Sequence, residues 1–166
     1  ADANPEVRRH AIRLSEGLLN QSPPLLKAVQ ALVDDRDPQL QIQLAYSLGA
    51  VEDSSAAPTL AQLALTHPNN PYLLAAVWSS VHANNVGALA QQLVGAGLKD
   101  AAPTPLMGTA LKLVVEVGEG EDLAAVIAAL NRNDNGQAVA RRFDAAAELL
   151  EHSRQSADAA LGIERQ

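Results

Sequence analysis

Three segments of this chain open alike and start 33 residues apart: Asn4-Pro5-Glu6-Val7-Arg8, Asp37-Pro38-Gln39-Leu40-Gln41 and Asn70-Pro71-Tyr72-Leu73-Leu74. A fixed period of this length is the signature of a solenoid, in which a helical pair cannot bury its apolar face alone and must stack on its neighbours. Each opening places a capping side chain before a proline, which suits the first turn of a helix because the missing N–H there has no intrahelical partner anyway.

Apolar residues then follow at helical spacing. In the first unit Asn4 or Asp2 serves as cap, and the expected inward stripe is Val7, Ala11, Leu14, Ser15 and Leu18. In the second, Asp37 is the cap and the stripe is Leu40, Leu44, Ser47, Leu48 and Val51, with Gly49 near the end. In the third, Asn70 precedes Leu73, Val77, Ser80 and Val81. A fourth copy starts one residue late at Thr104-Pro105, with Met107, Leu111, Val114 and Val115 inward and Gly118 as its stop. A fifth, without proline, follows the turn-like Asn133-Asp134-Asn135-Gly136 and puts Val139, Phe143, Ala146, Ala147 and Leu150 on one face.

Short second helices are expected over about 24–33, 57–65, 86–94 and 121–131, so each unit reads as an antiparallel hairpin. Ser156 to Gln166 suits either a partner for the fifth helix or a frayed tail. The expected fold is therefore all-α: one domain over 1–166, built as a right-handed α-α superhelix of four to five antiparallel pairs. The units cover about 4–34, 37–66, 70–97, 104–131 and 135–166. Aromatic residues make up only 2% of the chain. A core of small aliphatic side chains lets helices approach closely, and no stretch keeps the alternation of a β-sandwich.

Ankyrin repeats share the period but need Thr-Pro-Leu-His and a β-turn finger, and the tetratricopeptide consensus is lacking as well. Pro5-Glu6-Val7-Arg8 before an apolar helix resembles a HEAT repeat, of the short prokaryotic type. Arg8 becomes Gln41 and Leu74 in the following units, so the Asp/Arg ladder of such repeats is not expected to run through the chain.

Asp35-Arg36-Asp37-Pro38 with Leu40 to Ala45, and Pro71 to Ser80, are similar to the HEAT-like segment of planctomycete-type secreted proteins. Those join a sugar-dehydrogenase-like β-propeller to a C-terminal cytochrome c domain. The resemblance covers about the first 97 residues. It implies an exported, periplasmic or secreted parent with redox chemistry, and haem, in other domains; no haem residue is carried over, since this chain has no Cys-x-x-Cys-His. Residue 1 is alanine, as expected of a processed protein or a piece of a longer one.

Charge narrows the partners. A net charge of -7 opposes nucleic acid and anionic membrane surfaces, and no apolar run is long enough to insert in a membrane. Without cysteine the chain has no disulfide, thiolate ligand or thiol nucleophile. No cofactor is expected in this segment. His10, His67, His82 and His152 lack metal-ligand spacing, Gly118-Glu119-Gly120 lacks the rest of a phosphate loop, and Glu116, Glu119, Glu121 and Asp122 do not match a calcium loop. No serine sits in a nucleophile elbow, and Arg141-Arg142 is too short for a nucleic-acid stripe. Asn20-Gln21-Ser22 matches a glycosylation acceptor.

The remaining anomaly is the stretch from Ser54 to Leu98, which contains no Asp, Glu, Lys or Arg. Neutral groups such as Gln62, Thr66, Asn69, Asn70, His82, Asn84, Asn85, Gln91 and Gln92 must supply its polar surface. Either the central repeats are covered on both stacking faces, or the stretch is a docking surface from which costly charges are excluded. Alignment of the units puts Trp78 inward, beside Ile12 and Ala45, and Tyr72 outward, beside Glu6 and Gln39.

The expected function is a non-catalytic scaffold that docks a protein, or neighbouring domains of its parent, along the inner helices. Lys27, Gln30, Gln62, Tyr72, Gln91 and Gln92 are the candidate surface. Two alternatives remain open: a small-ligand-binding or lyase-like HEAT protein, and a structural spacer between a propeller and a cytochrome c domain.

Overall fold

In a computed structural model, residues 2–98, 104–131 and 139–160 are described, and every regular element among them is helical. The expected fold class holds: the chain is all-α, of the HEAT-like solenoid type. It divides into two compact units, Ala1–Asn85 and Val86–Gln166, where the sequence suggests one domain. The third repeat, expected over about 70–97, is thus split at Asn85.

The first unit contains α1 (Pro5–Ser15), α2 (Pro23–Gln30), α3 (Pro38–Leu48), α4 (Ala57–Thr66), α5 (Pro71–Ser79) and the start of α6 (Ala83–Leu98). The three repeat openings behave as their sequences require. Asn4 Oδ1 accepts from the Glu6 N–H at 2.9 Å, Asp37 Oδ1 from that of Leu40 at 2.8 Å, and Asn70 Oδ1 from those of Tyr72 and Leu73, both at 3.2 Å. Asp2 accepts instead from the Asn4 N–H, one step before the helix. Each cap satisfies donors that the first turn leaves without partners.

First helices stack on first helices, α1 on α3 and α3 on α5, while α4 packs against both α3 and α5. Leu40, Leu44, Ala45 and Leu48 of α3 are buried, as are Leu60 and Leu63 of α4 and Leu73, Ala76 and Val77 of α5. Trp78 is half-buried and Tyr72 exposed. Of the stripe expected on α1 only Ser15 is buried, beside Ile12 and Leu19, whereas Val7, Leu14 and Leu18 are 48%, 82% and 52% exposed. Their counterparts Leu40, Ser47 and Val51 are covered because α3 has helices on both sides; α1 has α3 on one side only.

The second unit packs α7 (Thr104–Val117), α8 (Gly120–Asn131) and α9 (Val139–Ala160) together. Met107, Leu111 and Val114 are buried as expected, with Leu106 and Ala110 beside them. Among the described side chains of α9, Ala145 and Leu149 are buried, Ala146 is half-buried and Ala147 and Leu150 are exposed, so this part of the fifth stripe is displaced by about one residue. α9 continues to Ala160, so Ser156 to Ala160 extend the fifth helix and do not begin a separate partner for it. The turn at 133–136 and the side chains of Val139, Arg141, Arg142 and Phe143 lie outside the described residues.

Candidate functional site

The polar side chains that the sequence leaves as surface are largely engaged in lacing one repeat to the next. The turn Ala50–Glu52, after α3, is held from both neighbours. From the preceding repeat, Asn20 Nδ2 donates to the Ala50 carbonyl at 2.8 Å and Asn20 Oδ1 accepts from the Glu52 N–H at 2.9 Å. From the following one, His82 Nε2 lies 2.9 Å from the Val51 carbonyl oxygen and Asn84 Nδ2 donates to the Glu52 carbonyl at 2.8 Å. Asn85 is fully buried: its Nδ2 donates to the Ser80 carbonyl and its Oδ1 accepts from the His82 N–H, each at 3.0 Å.

The starts of these helices are laced similarly. The Arg8 guanidinium forms a two-pronged ion pair with the Asp35 carboxylate, at 2.8 and 2.9 Å. One Asp/Arg rung therefore exists, although the following repeats cannot continue it; there Gln41 Nε2 donates to the Val33 carbonyl at 3.4 Å. The Arg8 hydrogen bond holds the Asp35 carboxyl below its ordinary range, and the same bond raises the Arg8 guanidinium. An acid with a depressed folded-state pKa contributes stability above its unfolded pKa and loses it as pH falls through the folded one. Stability should therefore decline below the usual carboxylate range, and Asp35→Asn should remove that component. Thermal midpoints measured across the acid range check this; a pH dependence unchanged by Asp35→Asn would show that the pair contributes none of it.

Within the first unit the candidate surface residues lie on three helices, α2, α4 and α5. Lys27 is exposed on α2, Gln30 is half-buried there, and Gln62 is exposed on α4. Two of these amides are already lacing groups: Gln30 Nε2 donates to the Ser55 carbonyl at 2.8 Å and Gln62 Nε2 to Asp34 Oδ1 at 3.0 Å. Tyr72 lies on a first helix, α5, and is 75% exposed. Gln91 and Gln92, half-buried and exposed, belong to the other compact unit.

On the outward side of the first helices the candidates include Tyr72 but not Tyr46. Tyr46 of α3 is 51% exposed and shares that side with Gln39, while Tyr72, Ala75 and Ser79 are exposed on α5. These tyrosines are two of four aromatic side chains in the chain. A shallow groove of about 200 Å³ runs between α1 and α3, with Arg9, His10 and Arg13 on one wall and Gln39 and Tyr46 on the other. The signal was available: Tyr46 falls in register with Arg13 and Ser79, both outward positions.

Among the described residues no three His, Asp or Glu side chains cluster as metal ligands, and no helix is long and apolar enough to cross a membrane. Asp122 Oδ2 accepts from the Glu119 N–H at 2.9 Å at the start of α8, and Glu116 pairs with Lys112 at 3.6 Å, which accounts for two members of the acidic cluster. His67 Nε2 is buried without a hydrogen-bond partner among the described residues.

Stacked hairpins, laced turns and an open outer surface define a helical repeat protein. Residues 1–81 match the family model of HEAT repeats, a span that contains all three openings at Pro5, Pro38 and Pro71. No curated protein and no solved structure matches the chain. HEAT repeats suggest a protein-interaction or scaffold module, and their fold is typically non-catalytic.

Proposed function

We propose that this chain is a non-catalytic docking module, and that it serves as an interdomain or protein-binding scaffold in a larger, exported redox protein. The observation that carries the docking role is the exposed, charge-free outer side of α5, with Tyr72 in its first turn. Tyrosine offers a large contact area for little lost rotamer freedom, and desolvating a neutral surface costs less than desolvating charge. The redox parent rests on the resemblance of residues 35–45 and 71–80 to segments joining a propeller and a cytochrome c domain.

Two placements of the partner are separable by mutation. Tyr72→Ala should weaken binding by at least about 30-fold if the outer face is the centre of the interface. Gln62→Arg with Gln91→Arg should abolish it if the partner lies along the second helices. Calorimetry against the neighbouring domains of the parent, with circular dichroism to show an intact fold, reads both. Unchanged affinity in both variants would refute the docking role and favour a spacer.

A further inference from the structure

Many polar side chains of the first unit are spent on the chain itself, as the laced turns show. The groove of about 200 Å³ between α1 and α3 is an exception. Of the side chains that line it, His10, Arg13, Gln39 and Tyr46 have no hydrogen-bond or ion-pair partner among the described residues, and all four are exposed. Each carries a donor, and the Arg13 guanidinium is a planar fork of them. Arg9, half-buried on the same wall, gives one N–H to Glu6. No carboxylate lines the groove, in a chain with 19 Asp and Glu.

Two carboxylates approach the lining residues, and both are occupied. Glu6 accepts from Arg9, while Glu16 accepts from the Ser47 hydroxyl at 2.6 Å and from Gln43 Nε2 at 3.3 Å. Donors are therefore left over where the acceptors are used. The next junction does not repeat this. In the 33-residue register Arg9, His10 and Arg13 correspond to Ile42, Gln43 and Tyr46, and then to Ala75, Ala76 and Ser79, so the α3–α5 junction has no cation at these places. Both walls lie inside the first unit, and a further helix stacked on the other side of α1 would leave the groove open.

The geometry points to an acidic segment of a separate protein as the occupant, with a glutamate or aspartate carboxylate on Arg13 and its chain across Tyr46 and Ile42. Charge complementarity carries the assignment. An arginine fork takes a carboxylate through two parallel bonds, and the Gln39 amide and Tyr46 hydroxyl are placed to donate to further oxygens of the segment. A free anion is not enough, because an exposed ion pair gains little over hydration. Held in a segment, the carboxylate adds to contact with the Tyr46 ring and with Ile42, half-buried in the same lining. The net charge of -7 does not forbid this, since charges beyond about 8 Å are largely screened at physiological ionic strength and the lining groups decide. The groove is bounded by α1 and α3, so it stands whether or not Tyr72 on α5 is a docking centre.

Fluorescence anisotropy of the whole chain with a short labelled peptide of alternating glutamate and alanine tests the assignment, beside the same peptide with glutamine for glutamate. The acidic peptide should bind at least about 10-fold more tightly than the glutamine one. Arg13→Glu should weaken its binding by at least about 10-fold and Tyr46→Ala by about 5-fold. Helical circular dichroism should survive in both, since neither side chain makes a bond within the chain. Arg36→Glu, at an exposed arginine outside the groove, controls for net charge and should change binding by less than about 3-fold. Absence of binding overturns the assignment, and is also the result expected if a segment of the same chain fills the groove. A complex indifferent to Arg13→Glu or to Tyr46→Ala overturns it as well, as does one equally weakened by Arg36→Glu. Displacement of the peptide by millimolar acetate would reduce the groove to a small-anion site and overturn the docking.

Discussion

Gly49→Ala should destabilise the first unit by about 1–2 kcal/mol and Gly49→Val by about 3 kcal/mol. The sign is the informative part. Gly49 caps α3 with φ near -66°, a conformation open to any residue, and in such places glycine to alanine normally stabilises by about 0.4–1 kcal/mol. Here a Cβ would lie 2.9 Å from both Cβ and Oγ of Ser80 and 3.1 Å from its Cα. Ser80 cannot retreat cheaply, since its hydroxyl oxygen lies 2.8 and 2.9 Å from the Ala45 and Ala76 carbonyl oxygens and shares its one proton between them. Overpacking therefore outweighs the entropic gain, and α5 must move off α3.

A double-mutant cycle isolates that contact. Ser80→Gly should cost stability alone, through its lost hydrogen bonds, yet it should remove most of the penalty of Gly49→Ala; the coupling, about 1 kcal/mol, is read by urea unfolding. A Gly49→Ala variant as stable as the parent chain would mean that the junction is looser than its geometry.

The same junction explains what the sequence could and could not disclose. Pro5, Pro38 and Pro71 with their caps are local signals, formed within three residues, and the helix starts fall where they say. Burial is not local. The stripe on α3 reads correctly because neighbours on both sides cover it; the equivalent stripe on α1 reads wrongly because nothing in residues 7 to 18 records how many neighbours α1 has.

The amides mislead for a related reason. Asn20, Gln62 and Asn84 look like surface residues, yet each bonds to a group about 28 to 32 residues away, close to one repeat length. Their partners are mostly backbone carbonyls of the adjacent turn, which leave no trace in composition. A run without charge therefore reflects lacing at many positions and open surface at only some, and Tyr72 marks the latter.

Asn85→Leu carries the second large effect, an expected loss of about 2–4 kcal/mol, although leucine is more hydrophobic and branches at the same atom. Asn85 is 0% exposed and satisfies two backbone groups at once, the Ser80 carbonyl and the His82 N–H. Leucine would leave both without partners in a buried site, at about 1–3 kcal/mol each, and its added apolar burial offsets only part of that. Asn85→Asp separates the two bonds. Its carboxylate can still accept from the His82 N–H but sets a second oxygen against the Ser80 carbonyl, whereas the protonated form can donate there. Burial and that oxygen contact should raise the folded-state pKa of the new carboxyl, so the variant should regain stability as pH falls, opposite in sign to the Asp35 component. Thermal unfolding of both variants across pH decides it: an Asn85→Leu chain as stable as the parent would mean that water replaces the amide. The consequence reaches the docking face, because Asn85 fixes Ser80, Ser80 sets the approach of α5 to α3, and α5 presents Tyr72.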